Sequence, residues 1–252
     1  MKRNINAVLL LIMTMAACSA PKKEQSFVEK TESAHQKSAF LDKEAVRFDL
    51  ALKFGGKERL NGTITLLTNS SKGLIEYGDS SKIMYVKDQV YYSPDITNTK
   101  GVRFDAYTWS YFFLLPHKLS DGGTKLSPYE NSTLNGETFD THKLTFAPGT
   151  GDAPDDWYVL YSNKETHLLE TAAYIVTAGK TKEEAEADPH AISYADYTEI
   201  DGVPIAQTWS FWGWKEDKGL TEQLGEATLK NIQFVEVDSN FFTPPPSFLT
   251  IE

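Results

Sequence analysis

From Phe40 onward the chain alternates apolar and polar residues with a period of two, and this alternation constrains its fold more than any other feature. Val46, Phe48, Leu50, Leu52 and Phe54 interleave with Arg47, Asp49, Ala51 and Lys53. After Gly55-Gly56-Lys57 the pattern resumes as Leu60, Gly62, Ile64 and Leu66 against Arg59, Asn61, Thr63 and Thr65. Successive side chains of a strand point to opposite faces, so each run buries one face, and the pair reads as a hairpin. Further strands are predicted over 73–77, 82–86, 90–92, 138–146, 157–161, 167–176, 192–198, 203–214 and 227–237, which makes about eleven antiparallel strands. Asp201-Gly202 is the sharpest turn signal, because both residues tolerate the positive φ of a type I′ turn. With no repeat of fixed period and no linker beyond Phe40, residues 40–252 are expected to form one mainly β domain.

Two segments depart from the alternation. Thr181 to Ala187 reads as a short charged helix, a solvated connector ended by Asp188-Pro189. Phe104 to Leu115 reads as a helix of a different kind. At about 100° per residue, Phe104, Tyr107, Tyr111, Leu114 and Leu115 share one stripe, while Ala106, Trp109 and Phe113 lie nearly opposite. A helix apolar on both sides must be covered on both sides, so this one reads as either the plug of a curved sheet or a lid over a hydrophobic ligand. The late strand 203–214 is similarly loaded: Val203, Ile205, Trp209 and Phe211 take one face, interrupted by Gln207, and Trp212 and Trp214 take the other. Aromatic residues make up 12% of the chain; such a stripe on a strand is either core or a ligand surface, and the doubly apolar helix shifts the reading toward a hydrophobic cavity on the concave face.

The amino terminus carries its own signal. Met1-Lys2-Arg3-Asn4 is basic, and Ala7 to Met15 is apolar but too short to span a bilayer, the pattern of an export signal over residues 1–17. Met15-Ala16-Ala17-Cys18 places two small residues before the sole cysteine, the arrangement that bacterial lipoprotein processing cleaves to leave a lipidated Cys18. Intrachain disulfides are then impossible, and packing alone must hold the fold. Residues 18–39, rich in Lys, Glu, Ser and Gln, are expected to be a flexible tether from the lipid anchor. Ser19 stands where inner-membrane lipoproteins carry Asp, which favours the outer membrane. The formal net charge of −10, more negative still once Lys2 and Arg3 leave, argues against nucleic acid and against an anionic membrane surface as partners. An anchored monomer is expected.

Catalytic motifs are thin. The sequence has no nucleophile elbow, phosphate-binding loop, zinc-protease motif or dinucleotide fingerprint. Asp140 and His142 would share a strand face, but two ligands do not hold zinc, so neither a metal nor another cofactor is expected. Asp155 and Asp156 are adjacent, and adjacent strand residues face apart, so they flank a common bond only if a loop bends them together.

The lipidation motif, the run of strands, the aromatic helix ending in Leu115-Pro116, and two short motifs together resemble a known family. The motifs are Tyr197-x-x-Ile200-Asp201-Gly202-Val203-Pro204 and Asn231-x-x-Phe234-x-x-Val237-Asp238-x-Asn240-x-Phe242-x-x-Pro245. Over roughly Lys43 to Pro246 the chain is similar to the LolA/LolB-like superfamily of outer-membrane lipoprotein carriers. The resemblance implies a single unclosed antiparallel β-barrel whose mouth is covered by helices and whose cavity shelters acyl chains without catalysis. Each methylene so buried is worth about 0.8 kcal/mol. Carried onto this chain, the cavity candidates are Tyr107, Trp109, Phe112 and Phe113 on the helix and Trp209 and Phe211 on the late strand. Soluble carriers lack an anchor, so Cys18 makes the anchored, receptor-like members the nearer analogue. Two alternatives stay open: a surface module binding glycan or protein through exposed tryptophans, and a hydrolase with a carboxylate pair formed only in the fold.

Overall fold

The computed structural model describes residues 25–251, so the expected signal peptide and Cys18 lie outside the described residues. Two helices come first, α1 (Phe27–Ala34) and α2 (Lys37–Leu41). A meander follows: β1 (Ala45–Phe54), β2 (Lys57–Leu67), β3 (Lys72–Tyr77), β4 (Lys82–Val86) and β5 (Gln89–Tyr92). Helix α3 (Val102–Leu114) runs into a 3-10 turn over Leu115–His117. The remaining strands are β6 (Thr124–Pro128), β7 (Thr133–Leu134), β8 (Glu137–Thr138), β9 (Asp140–Phe146), β10 (Tyr158–Ser162) and β11 (Leu169–Tyr174). After α4 (Lys182–Glu186) come β12 (His190–Ile200), β13 (Val203–Lys215), β14 (Gly219–Val235) and β15 (Leu249–Ile251).

Thirteen strands form one sheet in the order β15-β5-β4-β3-β2-β1-β14-β13-β12-β11-β10-β9-β6, while β7 and β8 pair separately. Every pairing is antiparallel. The sheet is unclosed, with β15 and β6 at its edges. The long β14 returns to pair with β1 and so joins the first meander to the second half of the chain. The two sheet strands beyond the expected eleven or so are the edges β6 and β15, too short and too exposed to show alternation. Strand β14 also begins eight residues before the expected 227, because Gly219–Glu226 is exposed or half-buried throughout and carries no apolar period.

Turn chemistry follows the sequence. Gly55 and Gly56 take φ of 54° and 73°, and Asp201 and Gly202 take 49° and 83°, the doubly positive pattern of type I′ hairpins. On the inner face Val46, Phe48, Leu50 and Leu52 are buried as the alternation requires. Gly73, facing Tyr85 across β3 and β4, keeps that face closed. A Cβ there would lie 2.3 Å from the Tyr85 ring and 2.8 Å from Leu66.

Helix α3 lies across the inner face and is pinned by one buried carboxylate. Asp105 Oδ1 accepts from Arg59 Nη2 at 2.5 Å and from Trp109 Nε1 at 3.0 Å, and Oδ2 accepts from the Tyr77 hydroxyl at 3.3 Å. Rings complete the attachment. Phe113 stacks on Phe48 at 4.4 Å, while Trp109 and Phe112 lie 6.2 and 5.8 Å from Phe211. Two smaller clusters cover parts of the outer face: Trp157 and Trp214 with Phe139 and Leu134, and Phe242 with Leu74 and Met84.

The expected tether is corrected by the structure from Phe27 onward. Ser26 and Glu29 form a reciprocal capping box that starts α1. Phe27, Thr31 and His35, four residues apart, then form one buried stripe. Phe27 stacks on His142 at 4.2 Å, Thr31 meets the Ser162 hydroxyl at 3.3 Å, and His35 Nε2 accepts the Leu169 N–H at 2.9 Å. Glu32 accepts from the Ser120 N–H and hydroxyl, both at 2.8 Å. Composition misled here because the stripe contains one large apolar residue and two polar ones whose partners lie elsewhere in the chain. Next to it Phe40 stacks at 4.0 Å on the buried His117.

Candidate functional site

Helix α3 contacts β3, β4 and β5 along one flank. Between the helix, β9–β11 and Tyr85 of β4 opens a cleft of about 860 Å³. Phe104, Tyr107, Tyr111 and Phe112 line it from the helix, and Phe146, Tyr158 and Tyr174 from the sheet. The rings form a continuous wall. Tyr111 lies 5.5 Å from Tyr158 and 6.3 Å from Phe146, Tyr158 lies 6.0 Å from Tyr174, and Tyr174 lies 4.9 Å from Phe112. The mouth is formed by the turn at Lys87 and Asp88, by Arg103, by Lys118 and Asp121, and by the loops 149–156 and 177–179.

Polar contacts fix this mouth. Arg103 donates to Asp152 Oδ1 from Nε at 2.8 Å, lies within 2.6 Å of it at Nη2, and donates to the Asp88 carbonyl at 3.2 Å. Its guanidinium sits 5.3 Å from the centre of the Tyr107 ring, and the Tyr107 hydroxyl donates to the Lys87 carbonyl at 3.1 Å. Lys118 Nζ reaches Asp121 Oδ2 at 2.5 Å and Ser70 Oγ at 2.8 Å. Burial pushes the Asp156 carboxyl up, although its Oδ1 accepts both the Thr177 N–H at 2.8 Å and the Thr177 hydroxyl at 2.7 Å, which favour the ionised form.

The tyrosines of the cleft are neutral phenols at physiological pH. Burial raises Tyr107 to about 12 and raises Tyr111, Tyr158 and Tyr174 further. The Tyr111 hydroxyl is buried with no hydrogen-bond partner among the described residues. An aromatic wall behind a charged rim can take up an apolar body and leave a polar end at the mouth.

Of the residues expected at a cavity, Tyr107 and Phe112 line the cleft. Trp109, Phe113, Trp209 and Phe211 come together elsewhere, in the packed core between α3 and the sheet, all at most 6% exposed. They sit on the drier flank of the helix, where Trp109 finds its partner in Asp105. The cleft side is the stripe of Phe104, Tyr107 and Tyr111, and its tyrosine content is the signal that separates a wall from a core. Phe146, Tyr158 and Tyr174 carried no such signal, because nothing in three separate strands indicates that they face one helix.

Tryptophans do not form an exposed row: Trp109 and Trp209 are buried inside, and Trp157 and Trp214 are buried on the outer face beside a half-buried Trp212. Asp156 is turned to Thr177, accepting both its N–H and its hydroxyl. His142 lies beneath Phe27, and among the described residues no three His, Cys, Asp or Glu side chains gather as a metal site. No described helix is long and apolar enough to cross a membrane.

No family model matches the sequence, and no curated protein matches it. Solved structures do resemble the fold. A LolA superfamily protein from Nitrosomonas europaea superposes with a TM-score of 0.57 at 9% identity, over 85% of this chain and 97% of that one. A putative outer membrane lipoprotein-sorting protein domain from Vibrio parahaemolyticus gives 0.53 at 11% identity, over 86% and 97%. The chain therefore has a LolA-like fold, an open antiparallel half-barrel with helices on its inner face.

Proposed function

We propose that this protein is a lipid-anchored component of the bacterial envelope that holds a hydrophobic ligand, a lipid or a lipoprotein acyl chain, in its half-barrel without catalysing a reaction. The observation that carries this reading is the cleft of about 860 Å³ between α3 and β9–β11, walled by aromatic rings. Its size falls within the ~300–1,000 Å³ of small-molecule sites, and a wall of rings shelters methylenes worth about 0.8 kcal/mol each. The LolA-like fold supports the same reading, by analogy of architecture. In it, Cys18 attaches the chain to the outer membrane and the tether is the short stretch before α1, with the helical remainder of 18–39 belonging to the domain. Tyr107 and Phe112 stay in the ligand site, Phe104, Tyr111, Phe146 and Tyr158 join it, and Trp109, Phe113, Trp209 and Phe211 support the helix from behind.

The test uses the mature chain carrying Cys18→Ser, purified from cells and examined by native mass spectrometry, with titration of an uncharged fluorescent hydrophobic probe alongside. A co-purifying lipid, or saturable probe binding weakened by a charge placed in the wall as Phe104→Glu, is expected. No lipid and no saturable probe binding would refute the proposal.

A further inference from the structure

The cleft has two chemically distinct parts, and each favours a different portion of an amphiphile. Within the wall, the buried Tyr111 hydroxyl has no hydrogen-bond partner among the described residues. A bare hydrocarbon beside it leaves that O–H unmet, whereas the carbonyl oxygen at the head of an acyl chain satisfies it. At the mouth, five aspartates (Asp88, Asp121, Asp152, Asp155 and Asp156) face three basic residues, Lys87, Arg103 and Lys118. Two of those three cations are already matched, Arg103 by Asp152 and Lys118 by Asp121. Asp88 and Asp155 are exposed and make no salt bridge among the described residues. The field over the mouth is therefore negative, which repels an anionic head group and attracts an ammonium.

We infer that the cleft selects acyl lipids with an ammonium-bearing head group over anionic ones, with Tyr111 donating to the acyl carbonyl and Asp88 and Asp155 facing the ammonium. This inference rests on the proposed lipid-binding role. The arrangement orders the ligand along the cleft. Rings of Phe104, Phe146 and Tyr158 enclose the chain, the carbonyl meets Tyr111, and the head lies outside where the carboxylates stand.

The experiment displaces an uncharged hydrophobic probe from the mature Cys18→Ser chain with two monoacyl phospholipids of equal chain length, one with an ethanolamine head and one with a glycerol head. The ethanolamine lipid is expected to bind about tenfold more tightly at low ionic strength, with the ratio shrinking at high salt as exposed charges are screened. Asp88→Asn combined with Asp155→Asn, both at exposed positions, should bring the ratio close to one. Tyr111→Phe should weaken both ester-linked lipids several-fold relative to their ether-linked analogues, which lack the acyl carbonyl. Equal affinities of the two lipids, or a preference for the anionic one, would overturn the inference. So would a Tyr111→Phe variant that weakens ester-linked and ether-linked lipids alike. Absence of binding by probe and lipids together would instead overturn the lipid-binding role itself.

Discussion

Acidification should loosen the seam between the amino-terminal helices and the sheet, through His35. This imidazole is 1% exposed, and its Nε2 accepts the Leu169 N–H at 2.9 Å, an arrangement open only to the neutral ring. Protonation would turn the acceptor into a donor facing a donor, in a buried site. Burial accordingly lowers His35 from 6.5 to about 3. His117, 5.8 Å away, is held well below its ordinary value by burial first and then by the charges of His35 and Lys37. Because the unfolded chain binds protons that the folded chain refuses, this contribution to stability is complete above about pH 6.5 and is lost as pH falls toward about 3. For His35 alone the linkage gives about 2 kcal/mol lost at pH 5 and a ceiling of about 5 kcal/mol in strong acid. His117 adds in the same direction.

The assay is urea unfolding of the native chain and of His35→Gln, whose amide oxygen can still accept the Leu169 N–H, at about pH 8 and about pH 5. Background titration of carboxylates is common to both chains and cancels. The native chain should lose about 2 kcal/mol more than the variant between the two conditions, or roughly 4–8 °C in Tm for a chain of this size. An identical loss in both would show that His35 titrates normally and that the buried imidazole is not what acid attacks.

Asp105→Ala removes the acceptor shared by Arg59, Trp109 and Tyr77 and should lower stability by about 2–4 kcal/mol, a figure already reduced because Arg59 is partly exposed. Denaturant midpoints measure it, and a change under about 1 kcal/mol would contradict the pinning role of this carboxylate. Gly73→Ala places a methyl against the Tyr85 ring and Leu66 and should destabilise by about 1–3 kcal/mol, with altered near-ultraviolet dichroism from the tyrosines; an unchanged spectrum and midpoint would argue against close approach at this site. Thr177→Val removes the hydroxyl bond to Asp156 and keeps the backbone one, so the 152–156 loop should exchange its amide hydrogens faster while the global midpoint moves by about 1 kcal/mol or less.

Alternation made the sheet legible. Strand β1 buries Val46, Phe48, Leu50 and Leu52 as read, and Asp201-Gly202 turns between the β12 and β13 strands it was expected to join. The helix over 104–115 forms as α3 within two residues of its predicted start. Its two apolar sides were legible as well, but not which side meets the core. That choice depends on Asp105, whose partners Arg59 and Tyr77 are remote in sequence, and on Phe48 and Phe211 closing around Trp109 and Phe113. Ser26-x-x-Glu29 is a readable start signal for α1, masked by the polar stripe that follows it. Tyr158 and Tyr174 reach the cleft through the strand order, which alternation does not specify.

An open barrel keeps two rims that a closed one abolishes, and each of this protein's rims is poor in groups another chain could pair with. Strand β6 ends at Pro128, which has no N–H to offer, and carries an exposed Lys125. At the other rim β15 is only three residues long, arrives after the triplet Pro244-Pro245-Pro246, and shields the longer β5. Short, proline-marked borders of this kind discourage the rim-to-rim stacking that leads to sheet-mediated aggregation. The gap between β15 and β6 that leaves the barrel unclosed is thereby kept from becoming a template for a second copy of the chain.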